Sequence, residues 1–170
     1  ENDYKDKYKD RKGTKKNINK YTKEELNILL TKYNSIRDFN INSKVLVISG
    51  IDEYIEETTY STLLKEYIIE ILDTIDALIE IMNIKKCFLA VSSNDVELID
   101  LLFNNIGTYP KIDLKLFSNN CYISNKNILI NKLTNYKNKN YIIQFLNIKD
   151  IININYILKK DRSPSETYIT

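Results

Sequence analysis

The sequence predicts an α/β domain, a Rossmann-like three-layer sandwich with a mainly parallel sheet. Short apolar runs rich in β-branched residues recur along the chain: "KVLVIS" (44–49), "KCFLAV" (86–91), "IDLKLF" (112–117) and "YIIQFL" (141–146). Between them lie longer segments whose apolar residues return every three or four positions. Strands alternating with helices form βαβ units, and right-handed crossovers lay the helices on both faces of a parallel sheet.

Each element has its own signature. In "TKEELNILLTKY" (22–33), Thr22 stands three residues before Glu25, a capping-box pattern, and Leu26, Leu29, Leu30 and Tyr33 share one face. The run 44–49 reads as a buried strand. "STLLKEYIIEILDTIDALIEIMN" (61–83) reads as one long helix with Leu64, Ile68, Ile71, Leu72, Ile75, Leu78, Ile79 and Met82 inward. "NDVELIDLLFNN" (94–105) follows the second strand as a helix that Ser93 or Asn94 caps. "NKNILINKLTN" (125–135) is a short helix and "KDIININYILKK" (149–160) a longer one. "ETYIT" (166–170) opens a fifth strand, so the natural chain is expected to continue past it. Residues 1–21 have no hydrophobic period and read as a disordered basic arm, which leaves 22–170 as a single α/β domain.

Composition bounds the function. Of the 170 residues 43% are hydrophobic, enough for a sizeable core. Net charge is +2; residues 1–23 hold nine basic and four acidic side chains, hence +5, so the remainder carries −3. The mixed signs in the arm favour a solvated linker over a contact with nucleic acid or anionic lipid. The chain has no histidine, which removes the usual general base near neutral pH. Its two cysteines form no C-x-x-C, so they make neither a zinc ribbon nor a cysteine-ligated cluster. Both read as reduced thiols, Cys87 as core filling and Cys121 as a loop residue with no histidine to activate it. The apolar runs fall short of the roughly 20 residues that span a membrane. Heavy use of Lys, Asn, Ile and Tyr reflects a codon bias towards A and T, so Lys-rich faces are discounted as signals. The shortage of glycine is not, because loops that approach a phosphate closely need it.

In sheets of this class ligands sit beyond the carboxyl ends of the strands. The loops there are 50–60, 92–94, 118–125 and 147–148. The first, within "SGIDEYIEETTYS", carries Asp52, Glu53, Glu56 and Glu57 after a lone Gly50. It has no G-x-G-x-x-G and no P-loop, and four carboxylates repel a phosphate. The acids lack EF-hand spacing, and no aromatic platform marks a sugar site. They read best as neighbours of a helix N-terminus, where the macrodipole favours them. In "SSND" (92–95), two hydroxyls and an amide could contact a ligand, but capping is the favoured reading.

The order of these pieces resembles the C subunit of the Rnf-type electron-transport complex, related to the flavoprotein subunit of respiratory complex I. "SGIDEYIEETTYSTL" (49–63) lies without a gap on that family's N-G-x-E-C-E-P-Y-L-T-x-D-x-R-L, with Gly50, Thr58 and Leu63 matching and Asp52 where a Glu is expected. "EILDTIDALIEIMNIKKCFLAVSSNDVELI" (70–99) is similar to its long helix, G-A-K-x strand and E-D-N-K-P-E-A-I helix start, through Lys85, Asn94, Glu97 and Ile99. "YISNKNILINKLTN" (122–135) resembles Y-P-x-G-G-E-K-Q-L-I-x-x-L-T-G through Tyr122, Leu129, Ile130, Leu133 and Thr134. Residues 141–170 resemble a V-V-Q-N-V-G-T-A strand, a helix and R-V-V-T-V-T. The likeness covers roughly 44–170.

The resemblance implies FMN, NADH and iron–sulfur clusters, but the residues that serve the flavin are changed. The family's G-x-G-G-A-G-F-P loop corresponds to 23–43, which has no glycine. Ser49 replaces the flavin-side Asn, Tyr54 and Ile55 replace the second Glu and the Pro of E-C-E-P, and Asp95 replaces the Lys of D-N-K-P. Ser124–Asn125 stand for a G-G pair, "NIKD" has lost the V-G-T-A glycine, and no cluster cysteines are present. The expectation is therefore an Rnf-C-like domain with a vestigial flavin/NADH site formed by Ser49, Gly50, Asp52, Glu53, Ser92 and Asn94. No catalytic residue, metal ligand or bound cofactor is expected. The expected partners are protein subunits of a membrane-associated electron-transfer complex, with the chain cytoplasmic at the inner face of the membrane. The rival readings are an active NADH–flavin oxidoreductase and a small adaptor or nucleic-acid module using the basic arm. Nucleic acid is the less favoured partner.

Overall fold

A computed structural model describes residues 21–34, 36–52, 59–118, 125–134 and 141–162, with side chains as far as Lys159. Residues 1–20 of the expected arm and the fifth strand lie outside the described residues, as do Glu53, Glu56, Glu57 and Cys121. Tyr21, counted with the arm, packs against the core and its hydroxyl donates to the Leu158 carbonyl at 3.2 Å. The elements run α1 (Lys23–Tyr33), β1 (Val45–Ser49), α2 (Thr59–Glu66), α3 (Ile68–Met82), β2 (Lys86–Ser92), α4 (Val96–Ile106), β3 (Ile112–Phe117), α5 (Lys126–Thr134), β4 (Ile143–Asn147) and α6 (Ile148–Arg162). The sheet has the order β3-β2-β1-β4 and every pair is parallel. The expected Rossmann-like α/β sandwich is the fold observed.

All five residues of β1 are buried, because it lies between β2 and β4 with helices on both faces. Side-chain alternation sends Leu46 and Ile48, with Cys87, Leu89 and Leu146, to one face. Val45 and Val47, with Phe88 and Ala90, go to the other. The first face is covered by α1, α2, α3, α4 and α6, whereas α5 is the described helix on the second, anchored by Leu129.

Helix α3 lies at the centre of the thick layer and packs against α1, α2, α4 and α6. Of its residues from Ile68 to Ile79 all but Glu70 are buried, so the stripe read from the sequence widens to nearly the whole circumference. That burial takes in Asp73, Thr74 and Asp76, two of which are held by side chains from other elements. The Tyr109 hydroxyl donates to Asp73 Oδ1 at 2.5 Å, and Asn155 Nδ2 donates to Thr74 Oγ1 at 2.9 Å. The Thr74 hydroxyl in turn donates to the Glu70 carbonyl at 2.7 Å. Buried polar groups need such partners, and these bonds tie α3 to the α4–β3 loop and to α6.

Three expectations are corrected. The single helix expected over 61–83 is two, because Tyr67 adopts φ −121° and ψ 32°. Hydrogen bonds still cross the break, from Tyr67 N–H to Leu63 O and from Ile71 N–H to Tyr67 O, each 2.9 Å. On its side of the break α2 packs against α4 and α6. The fourth strand begins at Ile143 and not at 141, with Tyr141 and Ile142 exposed ahead of it. The N-cap of α4 is Asp95 and neither Ser93 nor Asn94; its carboxylate accepts from Leu98 N–H at 3.1 Å. A carboxylate one residue later reaches the amides better than the expected caps do.

Gly50 is a packing glycine. A Cβ there would lie 2.7 Å from Leu64 Cδ1 and 3.3 Å from both Ala90 O and Val91 Cγ1, while Gly50 N–H donates to Ala90 O at 2.8 Å. Leu64 is fully buried and has little room to move. Gly50→Ala is expected to destabilise the fold by about 1–2 kcal/mol through overpacking, read as an earlier midpoint in urea with unchanged slope.

Candidate functional site

From β1 the chain steps to β2 and then β3, and then returns past β1 to place β4 on its other side. That reversal is the topological switch point, where the carboxyl ends of β1 and β4 diverge and open sheets place their ligands. The residues there are Ser49, Gly50, Ile51 and Asp52 from β1 and Asn147, Ile148, Lys149 and Asp150 from β4.

Of the candidates among the described residues at this edge, all but the exposed Asn94 side chain have an intramolecular task. Ser49 is buried and its Oγ accepts from Ile51 N–H at 3.3 Å. Gly50 admits Leu64. Asp52 is partly buried and its Oδ1 accepts from Tyr60 N–H at 2.7 Å, at the start of α2. Burial pushes the Asp52 carboxyl above its usual range, against the opposing pull of the Tyr60 and Ser61 amides and the Lys149 charge. One strand further out, Ser92 Oγ accepts from Asn94 N–H at 3.2 Å, and Asn94 itself is exposed. The structure thus brings Ser49, Gly50 and Asp52 together at the end of β1, with Ser92 and Asn94 at the end of β2.

Four further residues shape this edge in roles the sequence reading did not assign. Helix α6 starts directly after β4, without an intervening loop. Asn147 N–H donates to Asp150 Oδ2 at 3.0 Å and Asp150 N–H donates to Asn147 Oδ1 at 2.9 Å, a reciprocal cap. Burial raises the Asp150 carboxyl, and the Asn147 amide opposes it. Lys149 Nζ stands 5.9 Å from the Tyr60 ring centroid, bridging the two sides of the switch point. The spacing N-I-K-D is itself a capping pattern, the signal that could have located Asn147 and Asp150. The fourth residue, Asp95, caps α4, and Lys65 Nζ lies 2.9 Å from its Oδ2.

The consequence is electrostatic. A helix N-terminus binds an anionic ligand through free amides and a positive dipole end. Here Asp52, Asp95 and Asp150 put carboxylates on the starts of α2, α4 and α6, and Asn125 Oδ1 accepts from Asn127 and Ile128 N–H at the start of α5. A phosphate arriving at the start of α2, α4 or α6 meets an amide already bonded and a carboxylate beside it. Cys87, on β2, plays no part: it is buried, and desolvation, with the charges of Asp113 and Asp76, pushes its thiol far above the reactive range.

Asp95 gives this arrangement a measurable signature. Burial raises its carboxyl, but the Lys65 ammonium and the Leu98 amide outweigh that and hold it below the usual carboxylate range. A depressed folded pKa contributes stability above the unfolded value, lost as pH falls through the folded one. Asp95→Asn is expected to cost about 1 kcal/mol at neutral pH and progressively less below about pH 4, measured by urea unfolding across that range.

The fold and this edge define a class: a Rossmann-like α/β domain whose carboxyl-edge amides are bonded by its own side chains. No protein-family model and no curated protein matches the sequence. Among the described residues no helix is long and apolar enough to cross a membrane.

Proposed function

We propose that this chain is an Rnf-C-like domain whose flavin/nicotinamide site is vestigial, and that it acts through protein contacts within an electron-transport assembly at the inner face of a membrane. The observation that carries the reading is the self-capped carboxyl edge. The helix starts at Asp52, Asp95 and Asp150, which would have to receive a cofactor's phosphates, bond their amides to the chain's own carboxylates. The glycine that the resemblance aligns with a cofactor loop, Gly50, is filled from behind by Leu64. The likeness of 44–170 to that family supports the lineage, and the altered glycine loops support loss of the cofactor.

The test is a calorimetric titration of the purified chain with FMN and with NADH, beside its absorption spectrum as isolated. The expected result is no flavin band and no heat of binding at micromolar ligand. Micromolar affinity for either cofactor would sink the proposal and restore the active oxidoreductase.

A further inference from the structure

We infer that a basic strip on the opposite side of the sheet's carboxyl edge, along the starts of β2 and β3 and under α5, docks an acidic, extended segment of a partner protein. This inference rests on the reading that the domain works through protein contacts, and it names the surface and the partner's chemistry.

Two clefts carry it. One, of about 570 Å³, lies at the amino edge between the end of α3 and the starts of β2 and β3, and its lining includes Lys85, Lys86 and Lys111. The other, of about 430 Å³, lies on the second face between β3 and α5, and its lining includes Lys86, Lys115 and Lys132. Lys86 and Asp113 line both, so the clefts adjoin at the start of β2 and β3. Five lysines therefore face two carboxylates, Glu80 and Asp113, and Asp113 is already bridged to Lys115 at 3.5 Å.

The backbone sets their spacing. Lys85 and Lys86 N–H both donate to the Lys44 carbonyl, and the pairing of Cys87 with Ile112 puts Lys86 beside Lys111 on strands about 4.8 Å apart. Among the described residues Lys85, Lys86, Lys111 and Lys132 form no ion pair, so juxtaposed cations stand without a described counter-charge. Codon bias explains how many lysines a chain has. It does not explain their gathering on one strip of a domain that, outside the arm, carries net negative charge.

The chemistry of the strip selects among polyanions. Single-stranded nucleic acid binds by stacking bases on aromatic faces. Here the Phe88 ring is buried, with Lys86 Nζ 5.7 Å from its centroid, and Phe117 is partly buried. Tyr141 is the one open ring of the strip among the described residues, so no row of stacking faces is present. The lining has lysines and no arginine, so it lacks the planar fork that grips phosphate with two hydrogen bonds. Ammonium groups along a cleft suit a row of carboxylates. Tyr141 and Ile142, exposed beside Lys85, add apolar contact; Lys85 Nζ lies 5.2 Å from the Tyr141 centroid.

The experiment uses the whole chain, isotope-labelled, with a synthetic glutamate oligomer as probe. The expected result is amide shifts confined to Lys85, Lys86, Lys111, Lys115, Lys132 and their neighbours, fading as salt is raised. The pair Lys86→Glu and Lys132→Glu is expected to weaken binding at least about tenfold. The pair Lys23→Glu and Lys32→Glu on α1, an identical change in net charge, should leave it unaltered. Equal weakening by both pairs, shifts in the N-terminal arm, no binding, or tighter binding of single-stranded RNA to the strip would each overturn the inference. Its failure is distinct from that of the proposed function, which would appear as FMN- or NADH-induced shifts at Ser49–Asp52 on the far edge.

Discussion

Leu72→Ala is expected to lower the unfolding free energy by about 2–5 kcal/mol, the range for emptying a leucine site in a close-packed core. Leu72 is fully buried in α3, which touches four other helices. A cavity there has neighbours held from several directions, and little can collapse into it. For a domain of this length the loss corresponds to a fall in Tm of about 5–15 °C, observable by thermal unfolding. Val96→Ala, on the exposed side of α4, serves as the matched control and should change stability by no more than about 0.5 kcal/mol. If both variants melt together with the parent, α3 is not the centre of the fold.

Tyr109→Phe is expected to cost about 2–3 kcal/mol, because it removes the hydroxyl that donates to a buried Asp73 carboxylate and keeps the ring. It also carries a pH signature. Burial, the hydrogen bond to Asp73 and the charges of Asp73 and Asp76 all raise the Tyr109 phenol above its ordinary value of 10.0. In the unfolded chain the phenol ionises near that ordinary value, whereas in the fold it stays protonated. Between the two, the folded state binds more protons, so stability falls as pH rises above 10. The parent should lose stability over that interval, and Tyr109→Phe should lose less of it. Urea midpoints at neutral pH and above pH 10 decide the matter; parallel loss in both proteins would show that Tyr109 does not govern the alkaline limb.

How far the sequence foretold this molecule depends on the kind of signal. The strands were plain because β-branched runs such as "VLVIS" are buried on both faces and nothing interrupts them. Thr22 was legible as a cap, since its hydroxyl oxygen does accept from Glu25 N–H at 3.2 Å. The break at Tyr67 was not legible, because neither glycine nor proline marks it and packing of α2 against α4 and α6 accompanies it. Asp73 and Asp76 fall between the apolar positions read from the sequence; the helices and the Tyr109 loop packed around α3 make them interior.

The candidate edge was legible as a place and not as an arrangement. Strand ends show in a sequence, so Ser49, Gly50 and Asp52 could be put at the end of β1 and Ser92 and Asn94 at the end of β2. Which side chain reaches which amide depends on loop paths of several residues. The bond from Tyr60 to Asp52 spans eight positions, and the meeting of Lys149 with Tyr60 spans the whole crossover sequence. The sheet order that makes β1 and β4 neighbours is likewise a tertiary fact. It turned "NIKD", read as a lost glycine, into the second wall of the switch point.

The unequal covering of the sheet has a dynamic consequence. Helix α5 has Leu129 as its one fully buried residue, with Ile130 and Leu133 partly buried, whereas α3 is enclosed almost all round. Partial opening follows the weakest interface. Amide hydrogens in α5 should therefore trade with solvent through a small, local excursion, while those of α3 and β1 wait for the whole domain to come apart. One side of this sandwich should lift without disturbing the other.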